Sequence, residues 1–100
     1  MIIDIYFPDS CKRDTKKIKE FLQRMVNRLV VGHYRYGEAK KSQRYMSRLI
    51  AEVKTYKKTG NQEQLINSAN YCFLETIAPE NDKSTFDPTV ESVTRKKFGK

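Results

Sequence analysis

Ile18-Lys19-Glu20-Phe21-Leu22-Gln23-Arg24-Met25-Val26-Asn27-Arg28-Leu29-Val30 carries the clearest pattern in the chain. Its apolar residues, Ile18, Phe21, Leu22, Met25, Val26, Leu29 and Val30, recur at steps of three and one, the spacing that gathers them into one broad stripe of an α-helix. Asp14 is the expected N-cap and Gly32 the expected stop, so residues 14–31 are read as a first helix. A second follows Gly37 over residues 38–58, with Ser42, Tyr45, Met46, Leu49, Ile50, Val53 and Tyr56 on its inner face. Thr59-Gly60-Asn61 ends one helix and begins another. Gly60 suits the left-handed position after a helix, and Asn61 with Gln64 resembles a capping box in which Asn stands in the Ser/Thr place. The third helix, residues 62–78, turns Leu65, Ile66, Ala69, Cys72, Phe73 and Ile77 inward and is closed by Pro79. Three helices joined by tight turns predict an all-α fold in an antiparallel three-helix arrangement.

The two ends differ from this middle. Met1-Ile2-Ile3-Asp4-Ile5-Tyr6-Phe7 is β-branched and aromatic, and Pro8 stops it, so residues 1–9 read as a short extended segment. A lone strand has no partner in so small a chain, so this segment either lies flat on the helices or pairs with a second copy. Residues 79–100 are rich in Asp, Lys, Ser, Thr and Pro, with Phe86, Val90, Val93 and Phe98 as anchors, and read as a docked arm or a tail. The 100 residues make a single domain. Apolar runs reach about three residues, far short of the roughly 20 that cross a bilayer, and Asp4 and Asp9 stand where a secretion signal would be basic. Cys11 and Cys72 lie too far apart in sequence to suggest a metal motif, and two cysteines make no disulfide framework. A cytoplasmic protein without membrane contact is expected. Three short helices with this aromatic content leave apolar surface to cover, so a homo-oligomer is expected as well.

Charge is distributed unevenly. Residues 12–58 hold fifteen bases against four acids, whereas residues 59–91 hold one base, Lys83, against six acids, Glu63, Glu75, Glu80, Asp82, Asp87 and Glu91. Such separation draws polyanions toward one part of the molecule and also attracts the chain's own acidic segment, or that of a second copy.

Catalytic constellations are missing. His33 is the one histidine, so a zinc site lacks its ligand set, and His33 reads as a turn residue beside Gly32. No Ser or Cys sits in a nucleophile motif. A magnesium-dependent nucleotide pyrophosphatase needs clustered acids on two helices, and residues 38–58 and 62–78 do not supply them, so no cofactor and no enzyme activity are expected. What the sequence offers instead is binding chemistry. Lys41, Arg44 and Arg48 border the apolar stripe of the second helix beside Tyr45, and His33-Tyr34-Arg35-Tyr36-Gly37 interleaves aromatic and cationic groups just upstream. Arginine forks bind phosphate and tyrosine rings stack on bases. The same residues serve as well for a core rim and a solvated flank. Arg13, Lys17, Arg24 and Arg28 align away from the apolar stripe of the first helix, either as a solvated face or as a track for a phosphate backbone. On the third helix Glu63, Asn67, Asn70 and Leu74 share one side with Tyr71 adjoining. Asparagine is a poor helix former, so two of them three apart point to specific hydrogen bonds, either tying helices together or reading a ligand.

The run Thr59-Gly60-Asn61-Gln62-Glu63-Gln64-Leu65-Ile66-Asn67-Ser68-Ala69-Asn70-Tyr71, followed by Leu74-Glu75 and Pro79, resembles a segment of small uncharacterised helical proteins of bacteriophages and prophages. With the Tyr36-Gly37 step and the region of Phe86 the likeness spans residues 34–86. It implies a viral accessory protein with no catalytic residue to transfer. Proteins of that kind often counter host immunity by sequestering nucleotide signals or by blocking a nucleic-acid-guided nuclease. The expected function is therefore a non-enzymatic protein that binds a phosphate-bearing ligand such as a nucleotide. Arg44 and Arg48 would clamp phosphate, with Lys41 and Arg35 beside them. Tyr34, Tyr36, Tyr45 or Tyr71 would stack on a base, and Asn67 and Asn70 would read polar edges. A sequence-tolerant DNA or RNA binder and a partner for an acidic host protein are the competing expectations.

Overall fold

The computed structural model describes residues 8–88, and in that span the chain is all-α: α1 (Lys12–Tyr36), α2 (Tyr45–Thr59) and α3 (Glu63–Ile77), with single 3-10 turns at Asp9–Cys11 and Lys41–Gln43. The extended segment expected over residues 1–7 and the anchors expected at Val90, Val93 and Phe98 lie outside the described residues.

The first helix is longer than its expected bounds at both ends. It grows directly out of the Asp9–Cys11 turn, so Asp14 is not a cap but a first-turn acid, where the helix dipole favours it. Gly32 does not stop it. Gly37 does, with φ of 76° and its N–H donating to the His33 carbonyl at 2.8 Å, the left-handed closure that only glycine adopts without strain. His33, Tyr34, Arg35 and Tyr36 therefore form the last helical turn rather than a loop, and His33 and Arg35 sit where the dipole favours cations.

The second helix begins seven residues later than the expected residue 38. Arg44 lies in the left-handed region with φ of 54° and ψ of 61°, a conformation that interrupts any helix passing through it. Arg48 Nε donates to the Gln43 carbonyl at 2.6 Å, and the Lys40 N–H donates to Tyr45 Oη at 3.2 Å, so the segment before α2 is pinned from the helix itself. At the other end Gly60, with φ of 68°, donates its N–H to the Tyr56 carbonyl at 2.7 Å. Asn61 Oδ1 accepts the Glu63 N–H at 2.9 Å as a cap should, but the Gln64 side chain does not reach back to the Asn61 N–H. Thr59 takes that part: its hydroxyl accepts the Asn61 N–H at 3.1 Å and lies 3.1 Å from Gln64 Oε1.

The register of α2 on α3 is antiparallel. Tyr45 stacks on Tyr71 with ring centroids 6.2 Å apart, Glu52 meets Asn67, and Thr59 meets Gln64. Helix α1 packs mainly on α3, crossing it where Asn70 Nδ2 donates to the Met25 carbonyl at 3.1 Å and Arg28 pairs with Glu63. At 100° per residue, Tyr71, which meets α2, falls about 100° round α3 from Asn70, which meets α1, so the two helices pack on different faces of α3. Helix α3 is thus the central element, with α1 and α2 packed on two of its faces.

That placement explains the core. Among the described residues Tyr45 on α2 and Ile66 on α3 are the buried apolar side chains, and Ser68, Asn70 and Glu75 on α3 are buried as well. Several residues expected inward are not: Cys72, Phe73 and Ile77 on α3 are exposed, as are Ser42, Met46, Ile50 and Val53. The inner face of α2 is narrowed to Tyr45, Leu49, Glu52 and Tyr56, because α1 lies against α3 and leaves the flank of α2 uncovered. No helix among the described residues is long and apolar enough to cross a membrane.

Candidate functional site

Helix α2 starts without a side-chain cap of its own, leaving N–H groups and a positive dipole end to be met from elsewhere. The acidic segment after α3 meets them. Buried Glu75 accepts the backbone N–H groups of Glu80 at 3.0 Å and Asn81 at 3.2 Å, which folds the chain back after Pro79. Glu80 is thereby brought to α2, where its carboxylate accepts the Ser47 N–H at 3.3 Å, the Ser47 hydroxyl at 3.2 Å and Arg44 Nε at 3.5 Å. Asp82 accepts Lys41 Nζ at 2.5 Å. The attraction expected between the basic and acidic parts of the chain is therefore realised within one molecule.

The Lys41–Asp82 hydrogen bond, and after it their mutual charge, raises Lys41 above its ordinary 10.5 and lowers Asp82 below its ordinary 3.8, although both side chains are exposed. The lowered Asp82 stabilises the fold above its unfolded pKa and loses that contribution as pH falls through the folded value. The raised Lys41 contributes below 10.5 and loses it as pH rises through its folded value. The contact should hold at full strength across the interval between 3.8 and 10.5, weaken outside it, and weaken with salt throughout. Carbon-detected NMR titration of the Asp82 carboxylate checks this. A midpoint below 3.8 that returns to the ordinary value in Lys41→Ala is expected, and a midpoint identical in both proteins would contradict the contact.

The larger feature is a cavity of about 650 Å³ between the C-terminal end of α1, the segment leading into α2, and α3. Arg28, His33, Arg35 and Tyr36 come from α1, Glu38 and Gln43 from the connection, Tyr45 and Arg48 from α2, and Asn67, Asn70 and Tyr71 from α3. Leu29, Phe73, Leu74 and Ile77 supply apolar wall. The volume lies inside the range of small-molecule sites, and the mixture of apolar wall with a few convergent polar groups is typical of them.

No family model, curated protein or solved structure matches this chain. The site's own chemistry must carry the functional reading.

Seven of the ten residues singled out from the sequence line this one cavity: Arg35, Tyr36, Tyr45, Arg48, Asn67, Asn70 and Tyr71. Three do not. Tyr34 points into solvent with 84% of its surface exposed, because the extra helical turn rotates it away from Tyr36. Lys41 and Arg44 face the acidic segment, and Arg44 borders a shallow depression with Ser42, Ser47 and Ala51 that shares Gln43 and Arg48 with the cavity. Of the phosphate clamp read onto Arg44 and Arg48, only Arg48 lines the cavity, although it borders the depression too, and Arg44 holds Glu80.

Within the cavity the cations differ in readiness. Arg48 is oriented by Gln43, its Nε donating to the carbonyl at 2.6 Å and its Nη2 to Oε1 at 3.2 Å, which leaves Nη1 for an incoming group. Arg28 pairs with Glu63, whereas Arg35 makes no ion pair among the described residues. The amides of Asn67 and Asn70 do the first of the two jobs the sequence allowed, tying helices together. Their nitrogens tie α3 to Glu52 and to Met25, yet Asn70 Oδ1 is a buried acceptor with no hydrogen-bond partner. An orphaned buried acceptor costs about 1–3 kcal/mol, and such groups persist where a ligand or water completes them. Sequence reasoning missed Arg28, His33 and Gln43 as cavity residues. Reading Gly37 rather than Gly32 as the stop would have placed His33 on the same helix end as Tyr36.

Proposed function

We propose that the chain is a non-enzymatic binding protein whose cavity takes a phosphate-bearing ligand of nucleotide type. The observation that carries this reading is the convergence of Arg35, Arg48, Tyr36, Tyr45, Tyr71, Asn67 and Asn70 on a single concave surface. Arg35 and the preoriented Arg48 supply forks for phosphate oxygens. Tyr36 and Tyr71 supply aromatic faces for a base, with buried Tyr45 packed behind Tyr71, and the unsatisfied Asn70 oxygen suits a base N–H. No group of three His, Cys, Asp or Glu side chains capable of holding a metal lies among the described residues, so the reading uses side chains alone.

Thermal unfolding in the presence of adenosine, AMP and ATP tests it. A ligand at a hundredfold excess over its Kd stabilises by about 2.7 kcal/mol. For a chain of this size that raises Tm by about 10 °C or more. The nucleotides should produce the shift and adenosine should not, since it lacks the phosphate. Equal shifts with adenosine, or none with millimolar nucleotide, would contradict the reading.

A further inference from the structure

The cationic face of α1 leads into this cavity. At 100° per residue, Arg13, Lys17, Arg24, Arg28 and Arg35 fall within an arc of about 60° on α1. All five are exposed. From Arg13 to Arg35 the stripe runs for about 33 Å at 1.5 Å per residue. Its last two members, Arg28 and Arg35, line the cavity. The acids that face it are few. Asp14 lies 3.8 Å from Arg13, Glu63 pairs with Arg28, Glu20 stands at the edge of the arc and Glu38 at the cavity. Lys17, Arg24 and Arg35 form no ion pair among the described residues.

A free nucleotide accounts for the cavity but not for the stripe. Its phosphates can engage one or two forks, whereas cations spaced along about six turns of helix match a ligand whose phosphates repeat. We infer that the ligand is a single-stranded nucleic acid, with a terminal nucleotide in the cavity and the backbone laid along α1. This rests on the proposed reading of the cavity as a phosphate-ligand site. A duplex end fits poorly, because its bases are stacked and paired and cannot reach the Tyr36 and Tyr71 rings. A cationic track beside aromatic faces is the arrangement that holds single strands with little regard to sequence.

Fluorescence anisotropy separates the possibilities, with a 5′-phosphorylated oligothymidylate of about eight nucleotides, thymidine monophosphate as competitor, and a blunt duplex of the same length. The strand should bind at least about 30-fold more tightly than the monophosphate at low salt, and the duplex more weakly than the strand. With about four backbone phosphates engaged, log affinity should fall with log salt at a slope of about −3, against about −1 for the monophosphate. The double variant Lys17→Ala/Arg24→Ala touches only exposed positions. It should lower strand affinity by about tenfold or more and flatten the slope by about 1.4, leaving monophosphate binding unchanged. Equal affinities and slopes for strand and monophosphate would overturn the strand while leaving the cavity reading intact. Tight strand binding that Arg48→Ala leaves unchanged would overturn the cavity reading, and with it the threaded strand. Binding of neither probe would end both.

Discussion

Arg48→Ala should lower nucleotide affinity by about 10- to 150-fold, and Arg44→Gly should leave it within about twofold. Hydrogen bonds to charged groups contribute about 1.5–3 kcal/mol, and each 1.4 kcal/mol is a factor of ten. Arg48 is the cavity cation whose orientation is already fixed, through the Gln43 carbonyl at 2.6 Å and Gln43 Oε1 at 3.2 Å, so little entropy is lost when it engages a phosphate. Arg44 is adjacent in space but turned to Glu80, and its φ of 54° makes glycine the residue its backbone accepts most readily. Removing its guanidinium therefore costs a surface ion pair of small value and relieves backbone strain. Because Arg48→Ala also frees Gln43, Arg48→Lys is the useful companion. It keeps the charge but cannot make both bonds to Gln43 and a fork to phosphate, and should fall between wild type and Ala. Calorimetric titration checks all three. A loss in Arg44→Gly as large as in Arg48→Ala would mean that the anion binds where Glu80 now sits.

Ile66→Ala should destabilise the fold by about 2–4 kcal/mol, as large-to-small changes at buried positions do. The corresponding fall in Tm is about 10 °C or more. Ile66 and Tyr45 are the buried apolar side chains among the described residues, at 5% and 6% exposure, so there is little other core to compensate. Ile50, half exposed on the flank of α2, provides the contrast. Its truncation should cost less than about 1 kcal/mol. Urea unfolding of the two variants measures the difference. Equal losses would show that Ile50 is covered in solution, and a second copy on that flank of α2 would be the natural cover.

The helices were legible because their apolar residues recur at helical spacing and because Gly60 and Pro79 punctuate them. What the spacing did not carry was which helix lies in the middle. Helix α3 looked amphipathic with Cys72, Phe73 and Ile77 inward, yet it is flanked on two faces, and besides Ile66 its buried positions are the polar Ser68, Asn70 and Glu75. Polar residues buried through hydrogen bonds to backbone leave no hydrophobic period to detect. The two glycines at 32 and 37 were equivalent as stop signals in sequence, and only the backbone conformation separates them. Arg44 was read as part of a helix edge, since nothing in its neighbourhood announces a left-handed non-glycine residue. The cavity was partly legible because amides, tyrosines and arginines on three helices converge once the hairpin closes at Gly60. The docking of Glu80 and Asp82 followed from charge separation in kind, but not in place.

The most direct measurement is a two-dimensional NMR titration with AMP, following the side-chain amide signals of Asn67 and Asn70 together with the ring protons of Tyr45 and Tyr71. Shifts that saturate together at these four residues and at Arg48 Nε are the predicted result. Saturable binding that moves only Ser47, Glu80 and Asp82, and leaves the four cavity residues still, would contradict it.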